Sequence, residues 1–285
     1  MILVTGAAGK TGRAVVRTLI ARGKVVRALV HRSDQVPVVD TLGVQDVLIG
    51  DMRNPAVLED AIQGTRGVFH ICPNVSPDEI SIGHNAISAA RSAGVEHFVF
   101  HSVLHPQVES MPHHWRKLRV EECLFESGLA YTILQPTTYM QNVLAHWDQI
   151  MGKGIYAVPY SVDTRLSMVD LEDVAQVAAL VLTQPGHIGA TYELVGIESI
   201  SPVEVATLLS RQLDRSVRAE ALALEDWRKQ ARVAGLGDDQ IETLLQMFRY
   251  YEQFGFVGNT HALSWLLNRP PTNFASFLDR LVTVV

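Results

Sequence analysis

The first residues whose spacing could do chemistry are Gly6, Gly9 and Gly12, in the run Gly6-Ala7-Ala8-Gly9-Lys10-Thr11-Gly12. They directly follow the apolar run Ile2-Leu3-Val4 and directly precede Ala14, Val15, Leu19 and Ile20 at helical spacing. A strand buried on both faces, a glycine loop and a helix in immediate succession are the setting of a dinucleotide site. Gly6 suits a tight turn, Gly9 a close backbone approach to a pyrophosphate, and Gly12 close packing of helix on strand. The amides of the first helical turn then face the phosphates. A bare strand-to-helix turn with no ligand is the competing reading of the triplet. Gly9-Lys10-Thr11 also looks like the end of an ATP-binding P-loop, but that motif needs a glycine where Val4 stands.

Chemistry at the adenosine end depends on the strands that follow. Gly23 ends the first helix, and residues 24–30 read as the second strand, running into His31-Arg32-Ser33-Asp34. About 20 residues past the glycine loop, NAD enzymes place a carboxylate on the ribose hydroxyls. Arg32 stands in that region here. A guanidinium pairs with a 2′-phosphate and stacks on adenine, which favours NADP(H). Asp34 leaves NAD(H) open, and a solvated loop charge is the alternative for Arg32. Residues 44–49 read as the third strand, with Asp51 and Met52 at its carboxyl end, where ligands gather in such sheets. Asp51 can accept from the adenine amino group there; its alternative is to cap the helix that starts at Pro55.

The elements that must position these residues alternate along the chain. Residues 67–71 read as the fourth strand, followed by Cys72-Pro73-Asn74, and residues 78–93 as a helix ended by Gly94. Residues 95–102 read as the fifth strand, with Ser102 at its carboxyl end, and 131–136 as the sixth. Strand–helix alternation with short connections implies parallel pairing, so the fold class is α/β, a Rossmann doubly wound sheet. Residues 1–150 are expected to form the dinucleotide domain, with 161–200 returning to it: 166–170 rejoin the sheet, Asp170 caps a helix, and 191–195 add a strand. Residues 151–159 read as irregular chain over the pocket. From Ser201-Pro202, a helix start, the pattern turns helical over 202–213, 224–234, 238–254 and 273–282, giving a smaller C-terminal helical lobe over 201–285. Its Trp227, Met247, Phe248, Tyr250, Tyr251, Phe254 and Phe256 read as core packing, or as an aromatic wall for a flat substrate. The active cleft is expected between domain and lobe.

Composition narrows the class. Of 285 residues, 47% are hydrophobic and 19% charged, as in ordinary globular chains. A net charge of −6 argues against a surface that coats nucleic acid. No apolar run approaches the ~20 residues of a membrane span, and the first strand begins too early for a charged signal-peptide region. Cys72 and Cys123 are too few for a disulfide framework, so a reduced, cytoplasmic setting is expected.

Several stretches together resemble the NmrA-like group of atypical short-chain dehydrogenase/reductases. They are the glycine loop, Gly50-Asp51, Phe98-Val-Phe-His-Ser102, Trp115-Arg-Lys-Leu-Arg-Val-Glu-Glu122 and Ser127-Gly-Leu-Ala-Tyr-Thr-Ile-Leu-Gln-Pro-Thr-Thr-Tyr-Met-Gln-Asn142. Weaker likeness continues through 201–210 and 268–274. The resemblance implies a Rossmann fold, NADP(H), and one of several activities: quinone reduction, triphenylmethane dye reduction, or cofactor sensing with little catalysis. It implies that Lys117 matches the lysine of the dehydrogenase Tyr-x-x-x-Lys pair and holds the nicotinamide ribose, that Ser102 matches the dehydrogenase serine, and that Pro136 aims Tyr139, Met140, Gln141 and Asn142 across the nicotinamide. Cys72 and Pro73, after the fourth strand, join the cofactor-binding positions. One departure stands out: His113, not Tyr, lies four residues before Lys117. A histidine can carry a proton, so Lys117, Ser102 and His113 are the catalytic candidates.

Each has a plainer reading. Lys117 could pair with Glu121 one turn on, Ser102 could cap or bond backbone, and Cys72 could be a small buried residue rather than a redox group. His101, His105, His113 and His114 lack metal-ligand spacing, because Pro106 and Pro112 interrupt any helix through them, and no metal is expected.

The function expected is NADPH-dependent hydride transfer to a planar, quinone-like or other electron-poor small molecule. Such an acceptor needs no tyrosine, since solvent can supply the proton. The alternative is an NADP(H)-responsive regulator that signals to a protein partner. A sugar-nucleotide epimerase shares the fold but needs the missing tyrosine. A homodimer is compatible with either of the first two readings, and no nucleic acid or membrane partner is expected.

Overall fold

The computed structural model describes residues 1–284. The apolar runs form β1 (Ile2–Val4), β2 (Val26–Val30), β3 (Asp46–Ile49), β4 (Gly67–His70), β5 (His97–His101) and β6 (Tyr131–Pro136). Between them lie α1 (Lys10–Ala21), α2 (Val36–Asp40), α3 (Pro55–Ile62), α4 (Glu79–Ser92) and α5 (Pro112–Glu126). There follow β7 (Thr138–Tyr139), α6 (Trp147–Lys153), β8 (Ile155–Val158), β9 (Leu166–Val169), α7 (Leu171–Thr183), β10 (Ala190–Leu194), β11 (Ser199–Ile200), α8 (Pro202–Gln212) and β12 (Arg218–Ala221). The chain closes with α9 (Leu224–Val233), α10 (Asp238–Phe254), α11 (His261–Leu267) and α12 (Phe274–Val284).

The main sheet runs β10-β6-β5-β4-β1-β2-β3. β1 pairs in parallel with both β2 and β4, and the parallel pairing continues to β3 on one side and β6 on the other. The chain therefore winds outward from β1 to β3 and then crosses back to β4, which puts the topological switch beside Gly6. Alternate strand residues Leu3, Leu29, Val68, Phe98, Phe100 and Ile133 cluster with Leu58, Ile62, Ile82, Ala86, Val120 and Leu124 of α3, α4 and α5. Period-two alternation puts that set on one face of the sheet. Phe98 and Phe100 are fully buried, and each such ring contributes about 1.5–3 kcal/mol by leaving water. α1 packs on β1 and β2.

The chain divides into two compact units, residues 1–108, 113–135 and 174–192 in the first, and 109–112, 136–173 and 193–285 in the second. The expected boundaries near 150 and 201 move as a result. Residues 136–150 belong with the C-terminal unit because the chain leaves the main sheet after β6, and β7 pairs with β9 in a separate small sheet, β11-β9-β7. For the same reason residues 166–170 do not rejoin the main sheet. Residues 151–159 are not irregular: α6 and β8 occupy them, and β8 pairs in parallel with β12. Asp170 does cap α7, accepting from Glu172 N at 3.1 Å. Ser201 and Glu204 form the reciprocal cap of α8, at 3.3 and 2.7 Å. In the second unit the aromatic residues pack on one another: Tyr251 stacks on Phe256, Trp227 meets Phe248 edge-on, and Tyr160 contacts Phe248 and Tyr251.

Candidate functional site

The glycine loop is built by contacts that side chains would block. Gly6 has φ +56°, a left-handed conformation, and a Cβ there would lie 3.1 Å from Ile71 Cγ2. At Gly12 a Cβ would stand 2.3 Å from Gly6 O and 2.7 Å from Ala7 Cα, so α1 can approach the loop only because residue 12 lacks one. Gly9 N donates to Gly6 O at 3.0 Å, and Gly9 is the N-cap of α1 with no side-chain cap and no acidic residue in the first turn. The positive end of the helix dipole is thus left without an internal anion. Ala7 and Thr11 are buried in the turn, while Gly9 and Lys10 are exposed. Thr5 fixes the base of the loop: its hydroxyl accepts from Ile71 N at 2.9 Å, donates to Ile71 O at 3.0 Å, and lies 3.2 Å from His70 Nδ1.

At the carboxyl ends of β2 and β3, Arg32 lies on the surface with its guanidinium spread over Asp34, at 3.1 and 3.2 Å. The pairing raises the Arg32 pKa and lowers that of Asp34. Asp51 does not cap α3; Asn54 does, accepting from Ala56 N at 3.1 Å. Asp51 instead grips Arg53, whose Nη2 lies 2.6 Å and whose Nε lies 2.9 Å from Oδ2, and His31 Nε2 is 3.6 Å from the same oxygen. The hydrogen bonds from Arg53 hold the Asp51 carboxyl down at about 2. Arg53 and His31 were not anticipated as members of this cluster; the signal was an Arg two residues after the strand-end Asp. Met52 turns inward and joins the core under the sheet.

At the ends of β4 and β5, Lys117 is enclosed. Its Nζ donates to Glu79 Oε1 at 2.8 Å and to His101 O at 3.2 Å, and sits 5.3 Å from the centroid of the Phe100 ring. The alternative of a surface pair with Glu121 is not what forms. Glu121 is itself buried, accepting from Ser102 Oγ and from Gln135 Nε2 at 2.9 and 3.1 Å. Burial raises the Glu121 pKa against the lowering effect of those two donors. The Ser102 hydroxyl is therefore committed within the fold. Burial pushes the Cys72 thiol up, and the nearby Glu79 adds to this, so residue 72 is a protonated thiol, the plainer of its two readings. Pro73 is exposed. His113 rests edge-on against His114, with ring centroids 4.4 Å apart, and burial, reinforced by His114, Lys117 and Arg116, lowers its pKa to about 2. It is neutral at any ordinary pH.

Pro136, Tyr139, Met140, Gln141 and Asn142 belong to the second unit. Met140 is fully buried in that unit's core. The Gln141 side chain is used at both ends: Nε2 donates to Asp170 Oδ1 at 2.7 Å and Oε1 accepts from Leu171 N at 3.1 Å. Asp170, wholly buried, also receives Arg280 of α12. Tyr139 is half-buried and Asn142 exposed. Among the described residues no helix is long and apolar enough to cross a membrane, and no group of three or more His, Cys, Asp or Glu is arranged to hold a metal ion.

Comparison with known proteins gives a consistent picture. The model of the NmrA-like family matches residues 1–278. An NAD(P)H azoreductase of Xenophilus azovorans is 32% identical over 97% of this chain and 96% of its own length. A (4-alkanoyl-5-oxo-2,5-dihydrofuran-3-yl)methyl phosphate reductase of Streptomyces griseus is 35% identical over 79% of this chain and 78% of its own. Among solved structures, the NADPH-dependent quinone oxidoreductase of Escherichia coli in complex with NADPH superposes with a TM-score of 0.85, at 26% identity, over 99% of this chain and 100% of that one.

Proposed function

This chain belongs to the NmrA-like family, and from that premise we propose that it is an oxidoreductase that binds NAD(P)H, NADP(H) in preference, and reduces a quinone-like or other electron-poor small molecule. The observation that carries the cofactor assignment is the loop at Gly6, Gly9 and Gly12, where a Cβ at Gly12 would lie 2.3 Å from Gly6 O and α1 starts without a side-chain cap. That cradle fits a pyrophosphate. When bound, the nicotinamide supplies the hydride. The three relatives described above are all named as reductases or oxidoreductases, of different acceptors. This supports the reaction class and leaves the acceptor open.

The chain's own residues bind and orient. The glycine loop takes the pyrophosphate, with Ala7, Ala8, Lys10 and Thr11 around it. Arg32 exchanges Asp34 for the 2′-phosphate, and Asp51 and Met52 flank the adenine. Lys117, its charge balanced by Glu79, holds the ribose hydroxyls, and the backbone of 139–142 borders the nicotinamide, since the Gln141 side chain is already engaged. No tyrosine stands at position 113, so the acceptor takes its proton from solvent after hydride transfer.

A second reading, an NADP(H)-sensing regulator, draws on one observation: Ser102 is tied to Glu121, which leaves no free dehydrogenase-type hydroxyl there. NADPH oxidation against quinones, azo dyes and cationic dyes separates the two readings. Turnover supports the reductase. Cofactor binding without turnover across the panel supports the regulator.

A further inference from the structure

Helix α5 opens on a cluster that the cofactor site does not use. His113, Arg116 and Lys117 stand at i, i+3 and i+4, on one face of its first turns. Lys117 is neutralised by Glu79 at 2.8 Å. Arg116 is not: its Nη1 is shielded from solvent and meets no hydrogen-bond partner among the described residues. His113 Nδ1 is likewise shielded and unpartnered. Both Arg116 and Lys117 act electrostatically on the His113 ring, so the three groups lie close together. Another enclosed guanidinium behaves differently. Arg27, with 15% of its side chain exposed, donates to Asp46 at 2.7 Å and to the carbonyls of Ala61 and Gln63 at 2.9 and 2.8 Å. A guanidinium N–H withdrawn from water without an acceptor is unfavourable, and buried charges in folded proteins are paired. The acceptor missing at Arg116 is an anion that the chain does not provide.

We propose that Arg116 and His113 form a receptor for an oxyanion substituent, a carboxylate or sulfonate, carried by the small-molecule acceptor. Assigning the anion to the acceptor rests on the reductase reading. The planar guanidinium presents parallel N–H donors that match a carboxylate or one edge of a sulfonate. The neutral His113 ring offers one further donor without a second full charge. Because Lys117 and Glu79 cancel, the site carries the single positive charge of Arg116, which suits a monoanion.

The test compares wild type with Arg116→Ala, Arg116→Lys and Arg119→Ala, using naphthoquinone and its sulfonated derivative as acceptors. Arg119 carries the same charge on the same helix but is exposed and paired with Glu122 at 2.6 Å. The readout is the ratio of kcat/KM for the sulfonated over the neutral quinone. Arg116→Ala lowers it by about tenfold or more, Arg116→Lys less, and Arg119→Ala leaves it in place. Equal losses on both quinones, or the same change in Arg119→Ala, overturn the receptor. In parallel, naphthalene sulfonate and inorganic sulfate are titrated calorimetrically. Arg116-dependent binding of the aryl sulfonate upholds the receptor even if no acceptor turns over, an outcome in which only the reductase reading fails. No sulfonate binding to wild type overturns it, and sulfate binding as tightly as the aryl sulfonate replaces the acceptor with a free anion.

Discussion

Lys117 donates to Glu79 Oε1 at 2.8 Å, across 38 residues of sequence, and not to Glu121 one turn along its own helix. The two side chains are only 14% and 4% exposed, so this is an enclosed pair. Removing one partner of such a pair leaves the other charge buried and costs about 3–5 kcal/mol. Lys117→Ala is predicted to lower stability by that amount in urea unfolding, and Lys117→Ala with Glu79→Gln to be more stable than Lys117→Ala alone. A loss below about 0.5 kcal/mol, typical of an exposed helix pair, would contradict the enclosure.

Gly12 and Gly9 separate packing from ligand binding. A Cβ at Gly12 would overlap the backbone of Gly6 and Ala7, whereas at Gly9 it would stand 3.3 Å from Gly6 O. Gly12→Ala is expected to destabilise by about 1–3 kcal/mol through overpacking. Gly9→Ala should stay within about 1 kcal/mol of wild type while weakening NADPH, because its cost falls on the phosphate approach. Thermal unfolding with and without NADPH measures both; equal effects at the two positions would remove the distinction.

Arg32 is predicted to discriminate cofactors. In the structure its guanidinium is spread over Asp34 on the surface, so the 2′-phosphate must outcompete one carboxylate. Arg32→Ala should weaken NADPH on the order of ten- to a hundredfold and NADH far less. Equal losses in fluorescence titrations with the two cofactors would withdraw the NADP(H) preference.

The buried histidines set the acid limit of stability. Burial lowers His70 and His101 to about 3, His114 to about 4 and His113 to about 2. In the unfolded chain these groups take up protons near pH 6.5; in the folded chain they do not. Below that pH the unfolded state binds more protons, so stability falls as pH falls. Each histidine adds a slope of about 1.4 kcal/mol per pH unit. Glu121, raised by burial, opposes this by at most one proton, so the sign stands. The urea midpoint should drop steeply between pH 6.5 and 5. A flat profile would mean that the imidazoles are open to protons in the fold.

Local patterns made much of this molecule legible in its sequence. The glycine triplet between an apolar strand and an amphipathic helix specified β1, the loop and α1, and strand–helix alternation specified a parallel sheet. What stayed hidden depends on distant pairing. Residues 155–158 became strand β8 because 218–221 lie beside them, and nothing within residues 151–159 signals a partner so far along the chain. The Lys117–Glu79 pair and the burial of Glu121 against Ser102 and Gln135 are likewise tertiary. Helical spacing put Glu121 next to Lys117, but the packing of α5 turned the two side chains to different partners. Asp51 and Asn54 were both credible caps for α3, and the choice fell to the residue immediately before Pro55.

The most direct test of the central claim is equilibrium titration of the purified chain with NADPH, followed by cofactor fluorescence. Saturable binding of one NADPH per chain, tighter than NADH and lost or weakened in Gly9→Ala, is the predicted result. No saturable binding of either cofactor would contradict the reading of the glycine loop and, with it, the proposed function.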